Sequence, residues 1–364
     1  MAPIRVGLIG LTPTPGAWAN QAHLPYLSHT SKYKIVALAN SSVASAEAAI
    51  KEHNLPADVK AYGSPADIAA DPNVDMVVVS VTVTKHYELV KPALEAGKTA
   101  FVEWPLGCNT AQAEELTELA QRKNVKTLVG LQGRQSNITR TLKEIVASGK
   151  LGKVLSSTVV GATGLFDHEV PVKLKYFAEA KNGGNNYTIL FGHFLDIFVD
   201  VLGDFEHSQG ILANQRPFMD VVSDGKKVET VHKDIADHIM VQGKLKSGAV
   251  TSISLRAGKP PHMIWKIFFE KGEISLEAPG PFIQLSYERD TVTIKQFDYA
   301  TDKAETIEVV EMELEDIKTP SRMIGRVYEA FASGGEYLTF EHALEHHRRL
   351  DKIAESAIHL EREV

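Results

Sequence analysis

A chain of 364 residues with 39 lysines and arginines against 46 aspartates and glutamates carries a net charge of -7, and 44% of its residues are apolar. That length suits two domains with real cores, and the acidic balance offers no basic stripe for a nucleic-acid backbone, so direct nucleic-acid binding is not expected. The single cysteine, Cys108 between Gly107 and Asn109, excludes an internal disulfide or a multi-cysteine metal site; it reads as a structural thiol in a reducing compartment.

No apolar run of about 18 residues or secretory leader is present, so a soluble, cytoplasmic protein without membrane partners is expected. The first predicted element is a strand, Val6 to Ile9, that enters a turn at Gly10 and opens onto a predicted helix, Ala17 to Leu27. This is the layout of a dinucleotide-binding βα unit, in which glycine admits a pyrophosphate and the helix start offers N–H groups. The spacing departs from Gly-x-Gly-x-x-Gly: Thr12 stands at the second position and Gly16 is displaced by one. By itself such a turn serves equally as ordinary α/β punctuation.

Strand and helix patterns then alternate. Strands are predicted at Tyr33 to Ala39, Val74 to Val81, Thr99 to Val102 and Lys126 to Leu131, with helices at Val43 to His53, Lys85 to Ala96 and Ala111 to Arg122. Parallel strands with right-handed crossovers follow, so residues 1–133 are expected to form a doubly wound Rossmann domain. Past Gly133 the rhythm changes. A helix (Ile138 to Ala147) and the turn Gly149-Lys-Leu-Gly152 lead into predicted strands at Val154 to Gly161, His238 to Leu245, Ala249 to Ala257, Trp265 to Glu270, Glu273 to Glu277, Phe282 to Tyr287 and Thr291 to Phe297. Helices are predicted at Asn186 to Leu202, Met323 to Ala332 and Glu341 to Leu360. Residues 134–364 are thus expected to be an α+β domain on a large, mostly antiparallel open sheet, with a second copy covering its free face.

Several local motifs fall on these elements: Val6-Gly-Leu-Ile-Gly10, His23-Leu-Pro25, Ser80 to His86, Ala93-Leu-Glu-Ala-Gly-Lys98, Val102-Glu-Trp-Pro-Leu106, Gly183-Gly184, and Gly192-His193 with Asp196. In this order they resemble the Gfo/Idh/MocA oxidoreductase family over nearly the whole chain. Phe101-Val-Glu-Trp104, Leu131-Gln-Gly-Arg134, Phe191-Gly-His193 and Gly258-Lys-Pro260 are similar to the branch that holds the fungal galactose-pathway repressor and its enzyme-like relatives.

The resemblance implies hydride exchange between a nicotinamide dinucleotide and a hydroxyl or carbonyl carbon, with a protein group to move the hydroxyl proton. The family's Lys of Glu-Lys-Pro is Trp104 here, within Glu103-Trp104-Pro105, and its Asp four residues before His193 is Ile189. Indole cannot trade a proton. His193 remains as acid or base, or else as a helix-face residue; Asp196 either orients that imidazole or is a solvated or capping carboxylate. Lys173, Lys175 and Tyr176 are replacement proton donors, or simply solvated loop residues. The cofactor set expected is Gly10, Thr12, Gly16, Trp18, Asn40, Ser41, Ser42, Ser80, Val81, Thr82, His86, Glu103, Trp104 and Arg134, with Gln132 at the same edge. Trp104 either stacks beside the nicotinamide or substrate or packs in the core, and His86 equally suits capping or packing. Asn40-Ser41-Ser42 at the end of the second strand has no carboxylate to repel a 2′-phosphate, so NADP is favoured, with NAD as the other cofactor.

Two functions follow. One is an NAD(P)-dependent oxidoreductase acting on a sugar, polyol or related carbohydrate-like small molecule, assembled as a homodimer through the second sheet. The other is a non-catalytic dinucleotide-binding transcriptional regulator that grips an acidic partner segment; the loss of the Lys and Asp favours it, whereas the absence of a basic excess favours the enzyme.

Overall fold

The computed structural model describes residues 2–165, 168–280, 284–286, 288 and 291–362. They fold as two compact units, one built from Met1–Gln132 and Glu313–Arg348, the other from Gly133–Met312 and Arg349–Val364.

In the first unit six strands, β1 (Ile4–Ile9), β2 (Tyr33–Ala39), β3 (Lys60–Tyr62), β4 (Met76–Val79), β5 (Thr99–Glu103) and β6 (Thr127–Gly130), form a parallel sheet in the order β3-β2-β1-β4-β5-β6. The order reverses beside β1, the switch point where α/β proteins bind ligands. All four residues of β4, Met-Val-Val-Val, are buried, as a strand covered on both faces requires. Five helices accompany the strands: α1 (Leu24–His29), α2 (Val43–Glu52), α3 (Pro65–Ala70), α4 (His86–Glu95) and α5 (Thr110–Arg122). Side chains cap three of them, Ser42 for α2, Ser64 for α3 and Asn109 for α5. A π-helical turn, Ala19–His23, precedes α1.

The second unit opens with α6 (Asn137–Ser148), stopped by Gly149 at φ +64°. Its strands are β7 (Val154–Ala162), β8 (Glu169–Pro171), β9 (Phe205–Asn214), β10 (Phe218–Ser223), β11 (Lys226–His232), β12 (His238–Leu245), β13 (Val250–Arg256), β14 (His262–Phe269), β15 (Gly272–Ala278), β16 (Thr293–Asp298), β17 (Lys303–Ile307) and β18 (Ile358–Glu361). Nine of them make one sheet, β17-β16-β15-β14-β7-β13-β12-β9-β18, antiparallel except at β7/β13 and β9/β18. Strands β11-β10-β8 form a separate small sheet. Helix α7 (Gly192–Leu202) follows a π-helical turn, Asn186–Phe191, and its Phe194 and Phe198 rings lie 5.5 and 5.7 Å from that of Trp265 on β14.

Paired strand residues point to the same side. Ile264, Val160, Ser254, Met240, Ile211 and Ile358 are successive partners across β14, β7, β13, β12, β9 and β18. Val160 and Ile358 in this row are 46% and 52% exposed, so the sheet keeps one face at solvent with an apolar row across it.

The structure differs from the sequence expectation in particular places. Helices α8 (Ser321–Ser333) and α9 (Phe340–Ser356) were expected to close the second domain, but Glu313–Arg348 belong to the first unit, where Tyr328 stacks on Tyr26 with ring centroids 5.4 Å apart. The helix expected to reach Leu360 ends at Ser356, and Ile358–Glu361 turn to pair with β9 as β18. Strands β3, β8 to β11 and β17 and helix α3 were not anticipated. Of the expected strand Phe282 to Tyr287, residues Phe282, Ile283 and Tyr287 lie outside the described residues, and 284–286 are not strand.

Candidate active site

The C-terminal edge of the parallel sheet gathers most of the expected cofactor residues that belong to the first unit. Gly10 ends β1 at φ +103°, and a Cβ there would stand 2.2 Å from the Ser80 carbonyl oxygen, so only glycine lets β1 and the end of β4 approach. Gly16 closes the turn at φ +84°, and Trp18, half-buried, packs against the first unit's core. The Asn40 amide donates to the Leu11 carbonyl at 2.8 Å and to Ser45 at 3.3 Å, and the Ser42 hydroxyl accepts from Ser45 N. Ser41 and Ser42 are both exposed, and each keeps its hydroxyl proton for a ligand.

At the end of β4 the Ser80 hydroxyl is buried and without a protein partner, as are both side-chain amide atoms of Gln132 after β6. Buried polar groups without partners are rare and call for an explanation such as a ligand. Thr82 bonds Thr84 through their hydroxyls. His86 is buried: its Nδ1–H donates to the Pro105 carbonyl at 2.7 Å, while Nε2 lies 3.1 Å from the Val81 carbonyl. Burial holds this imidazole below its ordinary pKa, and two carbonyl neighbours only partly offset that.

Glu103 and Trp104 turn into the first unit. A Glu103 carboxylate oxygen accepts from His23 Nε2–H at 2.7 Å, and His23 Nδ1 accepts from the Tyr328 hydroxyl at 2.8 Å. Burial pushes the Tyr328 phenol well up, so it stays a donor. Trp104, 4% exposed, packs against the rings of His346 and His347 on α9 at 4.8 and 4.7 Å. Of the two roles weighed for Trp104, the packing one is what this geometry displays.

In the second unit His193 sits buried in the first turn of α7. Asp196 was weighed as its orienting partner or as a solvated or capping carboxylate, yet it is buried and accepts both Nε and Nη2 of Arg134, at 2.9 and 2.6 Å. Arg134 also reaches Asp200, as does Lys143. The guanidinium expected to reach a cofactor is therefore committed to α7, because two buried carboxylates require a cation. Lys175 pairs with both oxygens of Glu229 at 2.8 Å, Lys173 is exposed, and burial pushes the Tyr176 phenol up to about 12. Sequence reading missed Tyr328, His346 and His347, which carry no local signal and meet partners far along the chain.

A parallel sheet in this order, a glycine-gated turn and unpartnered polar atoms at its ligand edge define a dinucleotide-binding protein of the Rossmann class. The family model "Oxidoreductase family, NAD-binding Rossmann fold" matches residues 4–131, and "Gal80p, C-terminal domain" matches 137–278. The galactose/lactose metabolism regulatory protein GAL80 of Saccharomyces cerevisiae is 33% identical over 78% of this chain and 69% of its own length. Dehydrogenase aclE of Aspergillus oryzae is 32% identical over 97% and 96%. The crystal structure of a super-repressor mutant of Gal80p from Saccharomyces cerevisiae superposes with a TM-score of 0.86 at 27% identity, covering 98% of this chain and 96% of that one. The chain belongs to the Gfo/Idh/MocA oxidoreductase family, in the branch that includes Gal80. Among the described residues no helix is long and apolar enough to cross a membrane.

Proposed function

We propose that this chain is an NAD(P)-dependent oxidoreductase acting on a hydroxyl or carbonyl carbon of a sugar, polyol or related small molecule. The observation that carries it is the ligand edge of the first unit, where Gly10 lets the ends of β1 and β4 close together and the Ser80 hydroxyl and Gln132 amide are buried without protein partners among the described residues. These residues fit a dinucleotide, which when bound supplies the hydride acceptor or donor. The first unit, Met1–Gln132 with Glu313–Arg348, serves the nucleotide, and the second, Gly133–Met312 with Arg349–Val364, the substrate and self-association.

With Trp104 packed against α9 and Ile189 at the family's Asp position, we assign the hydroxyl proton to His193. Lys173, whose side chain is exposed, is the next candidate, ahead of Lys175 and Tyr176. NADP is the favoured cofactor: no carboxylate follows β2, and the exposed Ser41 hydroxyl supports a 2′-phosphate. The single cysteine suits a cytoplasmic setting.

Titration with NADPH and NADH, followed by a panel of sugars, polyols and ketones, tests this reading. Binding with turnover, tighter for NADPH, is the expected result. Tight binding without turnover on a broad panel would support the regulator instead, the reading that the buried Trp104 favours; binding of neither nucleotide would sink both. His193→Ala is expected to lower kcat by roughly 10²–10⁴, the usual worth of a positioned acid or base, with NADPH affinity unchanged. Unaltered turnover in that variant would remove His193 from the mechanism.

The uncovered row on the nine-stranded sheet supports assembly as a homodimer. A face with Ile264, Val160, Met240 and Ile358 at solvent suits a self-complementary twofold contact. Sedimentation should give a dimer for the parent chain and a monomer for Val160→Glu; a dimer that survives the substitution would place the contact elsewhere.

A further inference from the structure

The turn after β1 lacks the second glycine of the usual fingerprint, and its shape is set instead by side chains from three elements. Three of its carbonyls accept from side chains of other elements. Leu11 O accepts from the Asn40 amide beyond β2 at 2.8 Å. Thr12 O accepts from His53 Nε2–H at the end of α2 at 2.8 Å and from the Asn20 amide at 2.9 Å. The same Asn20 nitrogen reaches Thr14 O at 3.1 Å. Pro13 and Pro15 have no N–H and fix φ, so the segment has few other shapes available.

The complementary groups stay open. Among the described residues, no protein atom accepts the backbone N–H of Thr12, Thr14 or Gly16. A short segment with three carbonyls held by side chains and N–H groups unclaimed can receive an anion. We propose that His53, Asn20 and Asn40 form a clamp that shapes the Leu11–Gly16 turn for a dinucleotide pyrophosphate, replacing with side-chain donors what the missing glycine provides elsewhere. This rests on the dinucleotide reading above. His53 and Asn20 are positioning residues that act through the turn.

The test is fluorescence titration of the full chain with NADPH, and competition by ADP-ribose, for the parent and for His53→Phe, Asn20→Leu and His53→Gln. His53→Phe and Asn20→Leu should each weaken both ligands at least about fivefold, the worth of roughly one net hydrogen bond. His53→Gln keeps an N–H donor and should recover most of that loss, which a purely structural role would not give. ADP-ribose should lose the same factor as NADPH, because the clamp acts on the phosphates. Unchanged affinity in both disruptive variants, or a loss confined to NADPH, would overturn the clamp while leaving the dinucleotide reading intact. Failure of the parent chain to bind either ligand would overturn both. Thermal midpoints report folding, and Asn20→Leu alone decides the matter if His53→Phe does not fold.

Discussion

Replacing Arg134 with alanine is expected to destabilise the second unit by about 3–5 kcal/mol, the range seen when one partner of a buried ion pair is removed. The Asp196 side chain is 3% exposed and takes two hydrogen bonds from the guanidinium, so the substitution leaves an uncompensated carboxylate inside α7's packing. Asp200 retains Lys143 at 2.9 Å and should tolerate the change better. The double replacement Arg134→Leu with Asp196→Leu is expected to recover most of the loss, because it removes the charge that was stranded. Urea unfolding of the single and double variants measures this. A single variant within 1 kcal/mol of the parent would show that water reaches Asp196. By the same geometry, turning the Arg134 guanidinium to a ligand would strand Asp196.

The second large effect is on pH dependence. His347 lies against Trp104, and burial, with His346 as a neighbouring like charge, lowers its pKa to about 3. The unfolded chain binds a proton near pH 6.5 and the folded one only near 3. Stability is therefore fully present above about pH 6.5 and falls as pH drops through that window, by about 1.4 kcal/mol per pH unit for one histidine. Between pH 6 and 4 this amounts to about 2–3 kcal/mol from His347. His86, also lowered by burial, adds to the same limb. Carboxylates lowered by hydrogen bonds, such as Asp71 at about 2 and Asp75, lose their contribution only below about pH 4, so the histidine window stands apart from theirs. His347→Leu is expected to flatten about half of the acid limb between pH 6 and 4 in urea-midpoint measurements. An unaltered limb would mean that another group titrates there.

Strands covered on both faces announce themselves. Met76–Val79 and Tyr33–Ala39 are apolar runs bounded by polar turns, and β12 and β13 alternate cleanly because one face is at solvent. Strand β11, Lys226–His232, has no buried residue to mark it, and β18 is exposed throughout, so periodicity gives no signal for either. Positions at the sheet edge were legible where they follow from local order: Gly10 after a strand and Ser80 at a strand end. Partnerships were not. His23 meets Tyr328 across 305 residues and Arg134 meets Asp196 across 62, and nothing near either residue indicates which charge or hydroxyl the fold delivers to it. Asn40 shows the limit most directly, because residue type suggested a ribose or phosphate contact while the fold spends its amide nitrogen on Leu11 and Ser45.

Neither unit is continuous in sequence, and this sets a timetable for synthesis. The aromatic socket of Tyr26, Tyr33 and Phe101 beside His23 is filled by Tyr328, which leaves the ribosome only after the whole segment Gly133–Met312. At ordinary translation speeds of roughly 5–20 residues per second the gap is on the order of 10–40 s, far longer than local helices and hairpins need to form. During that interval the rings that Tyr328 covers in the finished fold have no partner from α8, so the first unit's core closes only at the end of synthesis.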